Sequence, residues 1–230
     1  MSKLLVKFPT RNRPEKFKRI LERYIEFLSG KHDVRFVITM DEDDETMNNK
    51  KMKSYLKRII KKGTDLVYYY GNSKTKVEAC NANMENEDDF DVLILISDDM
   101  NPQQRGYDDI IFQAYSELFP DFDGAIKFHD GLRNDVLMTL PVMGKKLYDR
   151  FDYIYNPLYT SLYCDTEQTE VFYRMNKLGV SNICIAKHEW TSAPFDELHA
   201  RNENPQMYHK DGAIFNERRN RNFDIDKLGV

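Results

Sequence analysis

The sequence predicts an α/β fold in which a mostly parallel central sheet is flanked by helices. Two observations predict it. Aliphatic runs alternate with helical patterns through the first hundred residues, the order that strand–helix–strand units produce. Polar and charged clusters follow directly on those runs, and open parallel sheets gather ligand-binding groups beyond the carboxyl ends of their strands.

The elements read as follows. "LLVKF" (4–8) is a short buried strand, and Pro14 after "TRNR" suits the first turn of a helix. In that helix Phe17, Ile20, Leu21, Tyr24 and Leu28 recur at helical spacing, with Gly30 marking its end. "VRFVITM" (34–40) is a second strand, ending in the acidic run Asp41 to Glu45. In the next helix (50–63) Met52, Tyr55, Leu56, Ile59 and Ile60 form an apolar face. Lysines and arginines cover the rest, which reads as a solvated surface rather than a nucleic-acid patch, since stacking aromatics are sparse. "LVYYY" (66–70) is a third strand, and "GNSKTKVEACNANM" turns into a helix. "DVLILIS" (91–97) is a fourth strand, followed by a helix at 106–118. "GAIKFH" (124–129), "VLMTLPVM" (136–143) and "NICIAKHEW" (182–190) read as further strands, with a helix at 166–178. The tyrosine-rich "FDYIYNPLYTSLYC" (151–164) reads either as core or as a loop offering aromatic faces to a sugar ring.

Composition narrows the class. A 13% aromatic share within 41% hydrophobic residues supplies a packed core and excludes a disordered chain. The 230 residues suffice for one large α/β domain or two small ones. A net charge of −4 gives no general electrostatic footprint for nucleic acid. Cys80, Cys164 and Cys184 are scattered without a CxxC pair, which predicts reduced thiols and a cytoplasmic location. The apolar run at the start is too short for a signal peptide, and no stretch approaches the roughly 18 apolar residues of a membrane span.

The most informative stretch is "LILISDD". Its aliphatic run ends in Asp98 and Asp99, and adjacent carboxylates at the tip of a buried strand require water, a cation or a helix N-terminus to compensate them. With the basic groups at 10–13 and the polar groups at 71–74 converging on the same edge, the pattern suits a phosphorylated ligand held with a divalent cation. The bland alternatives are a helix cap at Asp98–Asp99, a solvated loop at 41–45, and a structural histidine at His188.

These residues resemble a family. "VKFPTRNRPEKF" is similar to the opening strand and "PT-x-NR" turn of GT-A glycosyltransferases close to family 2, and "VITMDEDD" stands where that family's second strand ends in a base-reading acid. "GNSKTKVEACNANM" resembles its "GKxxARNxG" helix start, and "LILISDDM" its DxD-type metal motif. The tail "FDELHARNENPQMYHKDGAIFNERRNRNF" is similar to tails of short, often phage-encoded members. The resemblance implies a GT-A domain over 1–190, with a nucleotide-binding half at about 1–100 and an acceptor half at about 101–190, and a tail at 191–230 packing on it.

It also implies an inverting, metal-dependent transfer from a nucleotide-diphosphate sugar to a glycan, lipid-linked or other hydroxyl acceptor, with a nucleic-acid acceptor not indicated. Thr10, Arg11, Arg13, Asn72 and Lys76 would line the nucleotide and phosphates, with Asp41 or Asp43 reading the base and Asp98 contacting ribose or sugar. Asp99 would share Mn²⁺ or Mg²⁺ with the diphosphate, and His188 would assist on the metal. One departure concerns the base. "EQTEVFYRMNKLG" (167–179) fits the family's "EDxxLxxRxxxxG", which puts Gln168 on the position of the catalytic Asp, and an amide takes no proton at neutral pH. Asp165 or Glu167 is then the expected base, Asp165 preferred. Two other classes stay open: a nucleotidyltransferase, against which no "GGxGTRL" signature follows the first strand, and a non-catalytic nucleotide-sugar-binding module.

Overall fold

A computed structural model describes residues 1–189 and 196–227. In chain order the elements are β1 (Lys3–Pro9), α1 (Pro14–Glu26), β2 (Asp33–Asp41), α2 (Lys50–Lys61), β3 (Leu66–Gly71), α3 (Lys76–Asn81) and β4 (Val92–Leu95). There follow β5 (Met100–Pro102), α4 (Tyr107–Leu118), β6 (Ala125–Phe128), β7 (Val142–Gly144), α5 (Lys145–Phe151) and α6 (Cys164–Arg174). The remainder are β8 (Leu178–Ser181), β9 (Ala186–His188), α7 (Glu197–Asn202) and α8 (Pro205–Asn220).

Seven strands form one sheet in the order β3-β2-β1-β4-β7-β6-β8, and β5 pairs with β9 in a separate ribbon. The first four in that order are mutually parallel, and β7 runs antiparallel to β4 and β6. The pleat sends alternate side chains to opposite faces. Leu4, Val6 and Phe8 of β1 join Phe17, Ile20 and Leu21 of α1, Leu56 of α2 and Ile111 of α4 in one core layer. Leu5 faces the other layer with Leu93, Leu147 of α5, Phe172 of α6 and Phe215 of α8. Helices thus cover both faces, as the alternation of elements predicts.

Several expected elements are shortened or differ. The strand expected at 136–143 is a loop as far as Pro141. Its backbone donors go to side chains, Leu137 N–H to Asp135 (3.2 Å) and Met138 N–H to Thr169 Oγ1 (3.0 Å), which leaves no ladder to form. The strand expected at 182–190 is reduced to β9, and its last residue, Trp190, lies outside the described residues, as do 191–195 and 228–230 of the tail. The helix at 166–178 begins earlier, at Cys164, and stops at Arg174, so that β8 takes its last positions. The three cysteines are free thiols. Among the described residues no helix is long and apolar enough to cross a membrane.

One buried charge interrupts the second layer. Lys7 is fully buried, and its ammonium donates to Thr39 Oγ1 and to the carbonyl of Ala82 (2.6 Å). Burial pulls its pKa down to about 8. Because the folded value lies below the unfolded one, the native state gives up its proton first as the pH rises, and this group's contribution to stability increases between about pH 8 and 10.5. Urea melts of the wild type minus those of Lys7→Met should show that difference rising with pH, by about 3 kcal/mol across the range. A flat difference would rule out the depressed lysine.

Candidate functional site

The carboxyl ends of β1, β2, β3 and β4 open into a cavity of about 640 Å³. Parallel pairing makes this edge a single rim, so groups distant in sequence meet there. Thr10, Arg11 and Arg13 enter from β1, Asp41 from β2, Lys76 from the start of α3, and Ser97, Asp98 and Asp99 from β4. Across the cavity stand Asp130 and Thr139 of the loop between β6 and β7, Asp165 in the first turn of α6, and Tyr208 of α8.

The turn after β1 is fixed locally. Asn12 takes a left-handed conformation (φ 58°), which asparagine tolerates better than most residues, and its N–H donates to buried Asp44 (2.7 Å). Asp44 also accepts from the N–H and hydroxyl of Thr46 (3.0 and 2.7 Å). The acidic run is therefore divided. Asp44 ties loops together, Asp41 lines the cavity, and Glu42, Asp43 and Glu45 face solvent.

Asp98 and Asp99 are both buried but in different company. Asp98 accepts from Arg13 Nη1 (2.8 Å) and Thr10 Oγ1 (3.2 Å). Burial drives its carboxyl up to about 6; Arg13 pulls against that rise and the adjacent Asp99 adds to it. Asp99 accepts from the Ser97 hydroxyl and lies 3.7 Å from His188 Nε2. Burial would raise Asp99 too, but His188, Ser97 and Arg13 outweigh it and hold the carboxyl well below the usual carboxylate range. The 3.7 Å separation is longer than a hydrogen bond and makes the contact an ion pair when His188 is protonated. The register of the β5–β9 ribbon, Met100 opposite His188, delivers the imidazole to this place.

Arg13 connects the rim to the C-terminal segment. Its guanidinium makes a two-pronged contact with Asp196 (2.7 and 2.7 Å) and lies 2.9 Å from His199 Nδ1. Burial would lower its pKa, yet Asp196 and Asp98 together keep it above the ordinary arginine range. Asp196 caps α7 in a capping box with His199, and Arg201 of α7 donates to the carbonyls of Ser73 (3.4 Å) and Lys74 (2.9 Å). An aspartate ahead of "ELHARN" is a readable helix start. Its partner 183 residues upstream is not readable, so Asp196, His199 and Arg201 were missed from sequence.

Most expected site residues meet in the cavity: Thr10, Arg11, Arg13, Asp41, Lys76, Asp98, Asp99, Asp165 and His188. Three stand outside its wall. Asp43 is exposed and pairs with Arg11, whose other partner is Asp41 (2.7 Å). Asn72 is exposed and reaches only Glu42 (3.4 Å). Glu167 is sealed among Asn156 Nδ2 (2.7 Å), the Tyr159 hydroxyl (2.6 Å) and Arg218 Nε (2.8 Å). Gln168 is also buried, donating to the Ile154 carbonyl, so the position the family motif gives its base faces the core here. In the tyrosine-rich stretch, Tyr155 and Tyr159 are core, though Tyr155 also lines the cavity, as does Tyr163.

Among the described residues no three His, Cys, Asp or Glu side chains group as a metal cage. The pair of Asp99 and His188 nonetheless fits a cation that takes its remaining ligands from a bound diphosphate, since hard divalent ions in phosphate sites commonly use few protein ligands.

No protein-family model and no curated protein sequence matches the chain. Solved structures do. A mannosyltransferase from Pyrobaculum calidifontis in complex with GDP-Man and Mn²⁺ is similar at TM-score 0.65 and 16% identity, over 92% of this chain and 63% of that one. S. aureus TarS 1–349 in complex with UDP-GlcNAc is similar at TM-score 0.60 and 14% identity, over 96% and 73%. A CMP:2-keto-3-deoxy-manno-octonic acid synthetase complexed with CTP is similar at TM-score 0.52 and 9% identity, over 80% and 91%. These likenesses show a GT-A fold, with this chain spanning less than two thirds of the mannosyltransferase's length.

The sealed position of Glu167 has a measurable consequence. Glu167→Gln should lower stability by about 3 kcal/mol, since it removes one partner of a buried ion pair. Turnover of the folded fraction should stay within about twofold, a small change beside the ~10²-fold or greater loss that follows removal of a general base. Loss of turnover without loss of stability would return Glu167 to the catalytic machinery.

Proposed function

We propose that the protein is a metal-dependent glycosyltransferase that moves a sugar from a nucleotide-diphosphate sugar to an acceptor hydroxyl with inversion. The observation that carries this reading is the pairing at the end of β4. Asp99 is held ionised beside His188, and Asp98 is fastened to Thr10 and Arg13 on the nucleotide side of the same cavity. The GT-A fold and neighbours bound to GDP-Man or UDP-GlcNAc support it.

In this reading Asp99 and His188 would hold a divalent cation, Mn²⁺ or Mg²⁺, which when bound would supply positive charge to offset that of a diphosphate. Thr10, Arg11 and Arg13 line the nucleotide, and Asp41 accepts from the base once Arg11 yields one of its contacts. Lys76, which lines the cavity, meets a phosphate in this reading. Asp165 accepts the proton of the acceptor hydroxyl as that oxygen attacks the anomeric carbon. The bond from that carbon to the diphosphate oxygen breaks, and the nucleoside diphosphate leaves. The inward-facing Gln168 supports Asp165 in this role, because it removes the residue the motif would otherwise place there. Asp43 and Asn72 are left to the solvent side of the nucleotide site, and Glu167 has no catalytic part. Three free thiols support a cytoplasmic location.

Nucleotidyl transfer is the second reading, favoured by a CTP-bound neighbour of similar fold. The products separate the two: nucleoside diphosphate for glycosyl transfer, pyrophosphate for nucleotidyl transfer.

A thermal-shift panel of UDP-, GDP-, CDP- and dTDP-sugars with and without Mn²⁺ should give one nucleotide class with a metal-dependent shift, worth about 2.7 kcal/mol at a hundredfold excess over Kd. Asp99→Ala should keep its fold, lose the Mn²⁺-dependent part of that shift and lose at least ~10²-fold in turnover. Asp165→Asn should keep the shift and lose about 10²–10⁴-fold in turnover. Normal turnover by either variant would overturn the assignment of that residue.

A further inference from the structure

The acceptor side of the cavity is held by a carboxylate that lies outside it. Asp211, on α8, is fully buried. Its carboxylate accepts from three consecutive backbone N–H groups: Thr160 (3.1 and 3.2 Å), Ser161 (2.8 Å) and Leu162 (2.8 Å). A buried carboxylate is costly unless hydrogen bonds compensate it, and here those bonds all converge on one short turn. The turn forms part of the cavity wall, where the buried Ser161 hydroxyl has no hydrogen-bond partner among the described residues. It runs through Tyr163, in a left-handed conformation (φ 61°), directly into the first turn of α6 and Asp165.

A second tie from the same helix acts on the same segment. The ring of Phe215, one turn along α8 from Asp211, stacks on Tyr163 (centroids 5.5 Å apart, planes at 28°). Tyr163 is therefore fixed from its ring while its backbone is fixed through the turn that precedes it. A left-handed tyrosine persists only where the surroundings over-determine it, and these two contacts supply that constraint.

We propose that Asp211 is a positioning residue of the acceptor site: it sets the 160–162 turn, and through it the Asp165 carboxylate, in line with the acceptor oxygen. The inference rests on the glycosyl-transfer reading. It assigns α8 to the acceptor half and leaves the donor half, built on the strand ends, independent of it.

The test compares wild type, Asp211→Asn and Phe215→Leu. The latter loosens the same segment without leaving a buried donor unpaired. Two readouts are used with the sugar nucleotide that gives the largest Mn²⁺-dependent thermal shift: its Kd, and the rate of nucleoside diphosphate release to water as acceptor. Amide hydrogen exchange at 160–162 is followed in parallel. The expected result is faster exchange at 160–162, a donor Kd within twofold of wild type, and a kcat lowered by about 10²-fold in Asp211→Asn and less in Phe215→Leu, as a displacement near 1 Å of a reacting group produces. A merely structural residue would lower the melting temperature and leave kcat of the folded fraction unchanged, which would overturn the proposal. A parallel loss of donor affinity would overturn it as well. If Asp211→Asn does not fold, wild-type kcat in Phe215→Leu overturns it. A wild type that neither binds nor cleaves any sugar nucleotide removes the glycosyl-transfer reading itself, and the proposal with it.

Discussion

Two carboxylates stand side by side where a fully buried strand ends, and the surrounding structure is arranged around making that tolerable. Neither Asp98 nor Asp99 has enough water to solvate it, and each raises the cost of ionising the other. The chain resolves the conflict by giving them different partners. Arg13 and Thr10 take Asp98, and Ser97 and His188 take Asp99. Only Asp99 ends far below the ordinary range, so the pair carries its firm negative charge at the position that shares a side with His188.

That arrangement draws in the C-terminal segment. An arginine nearly as buried as Asp98 needs more than one carboxylate to offset its own desolvation, and the second comes from Asp196 at the cap of α7. Arg201, one turn further along α7, then ties the helix to the loop between β3 and α3. Residues 196–203 thus close one wall of the cavity by answering an electrostatic demand set in the first strand's turn.

Much of the fold was legible because its signals are local. Continuous aliphatic runs, a proline at the first turn of α1 and the alternation of the first seven elements depend on neighbours a few residues apart. The same holds for Asp98 and Asp99, whose oddity is visible as soon as "LILIS" is read as buried. The second half was read less well because its order depends on distant partners. β7 is a three-residue strand that exists by pairing antiparallel to β4, and β5 and β9 exist by pairing with each other across 84 to 88 residues of sequence. The choice between Asp165 and Glu167 was undecidable for a different reason. Residues two apart on a helix point roughly 200° apart around its axis, so one must face the cavity when the other faces the core. Spacing shows that they differ and says nothing about which is which; Asn156, Tyr159 and Arg218 hold Glu167 on the core side.

The two halves of the cavity also differ in how they are held, and that difference bears on specificity. One side of the cavity, the donor side in the proposed reading, is made from the ends of four adjacent parallel strands, whose positions are set by backbone ladders and by core on both faces. Such a rim cannot shift one residue without breaking a sheet, so its geometry is fixed before any ligand arrives. The opposite side is made from a loop between short strands, a turn and a helix start, and side-chain ties hold it: Asp130 to the N–H groups of Leu132 and Arg133, Asp211 to 160–162, and Arg218 to Glu167. Side-chain ties can be changed one at a time at a cost of a few kcal/mol each, whereas a strand end cannot. A single scaffold can therefore keep the strand-end wall fixed while the opposite wall is reshaped. That is the physical reason the strand-end wall of this cavity could be read in the sequence as a pattern and the opposite wall could not.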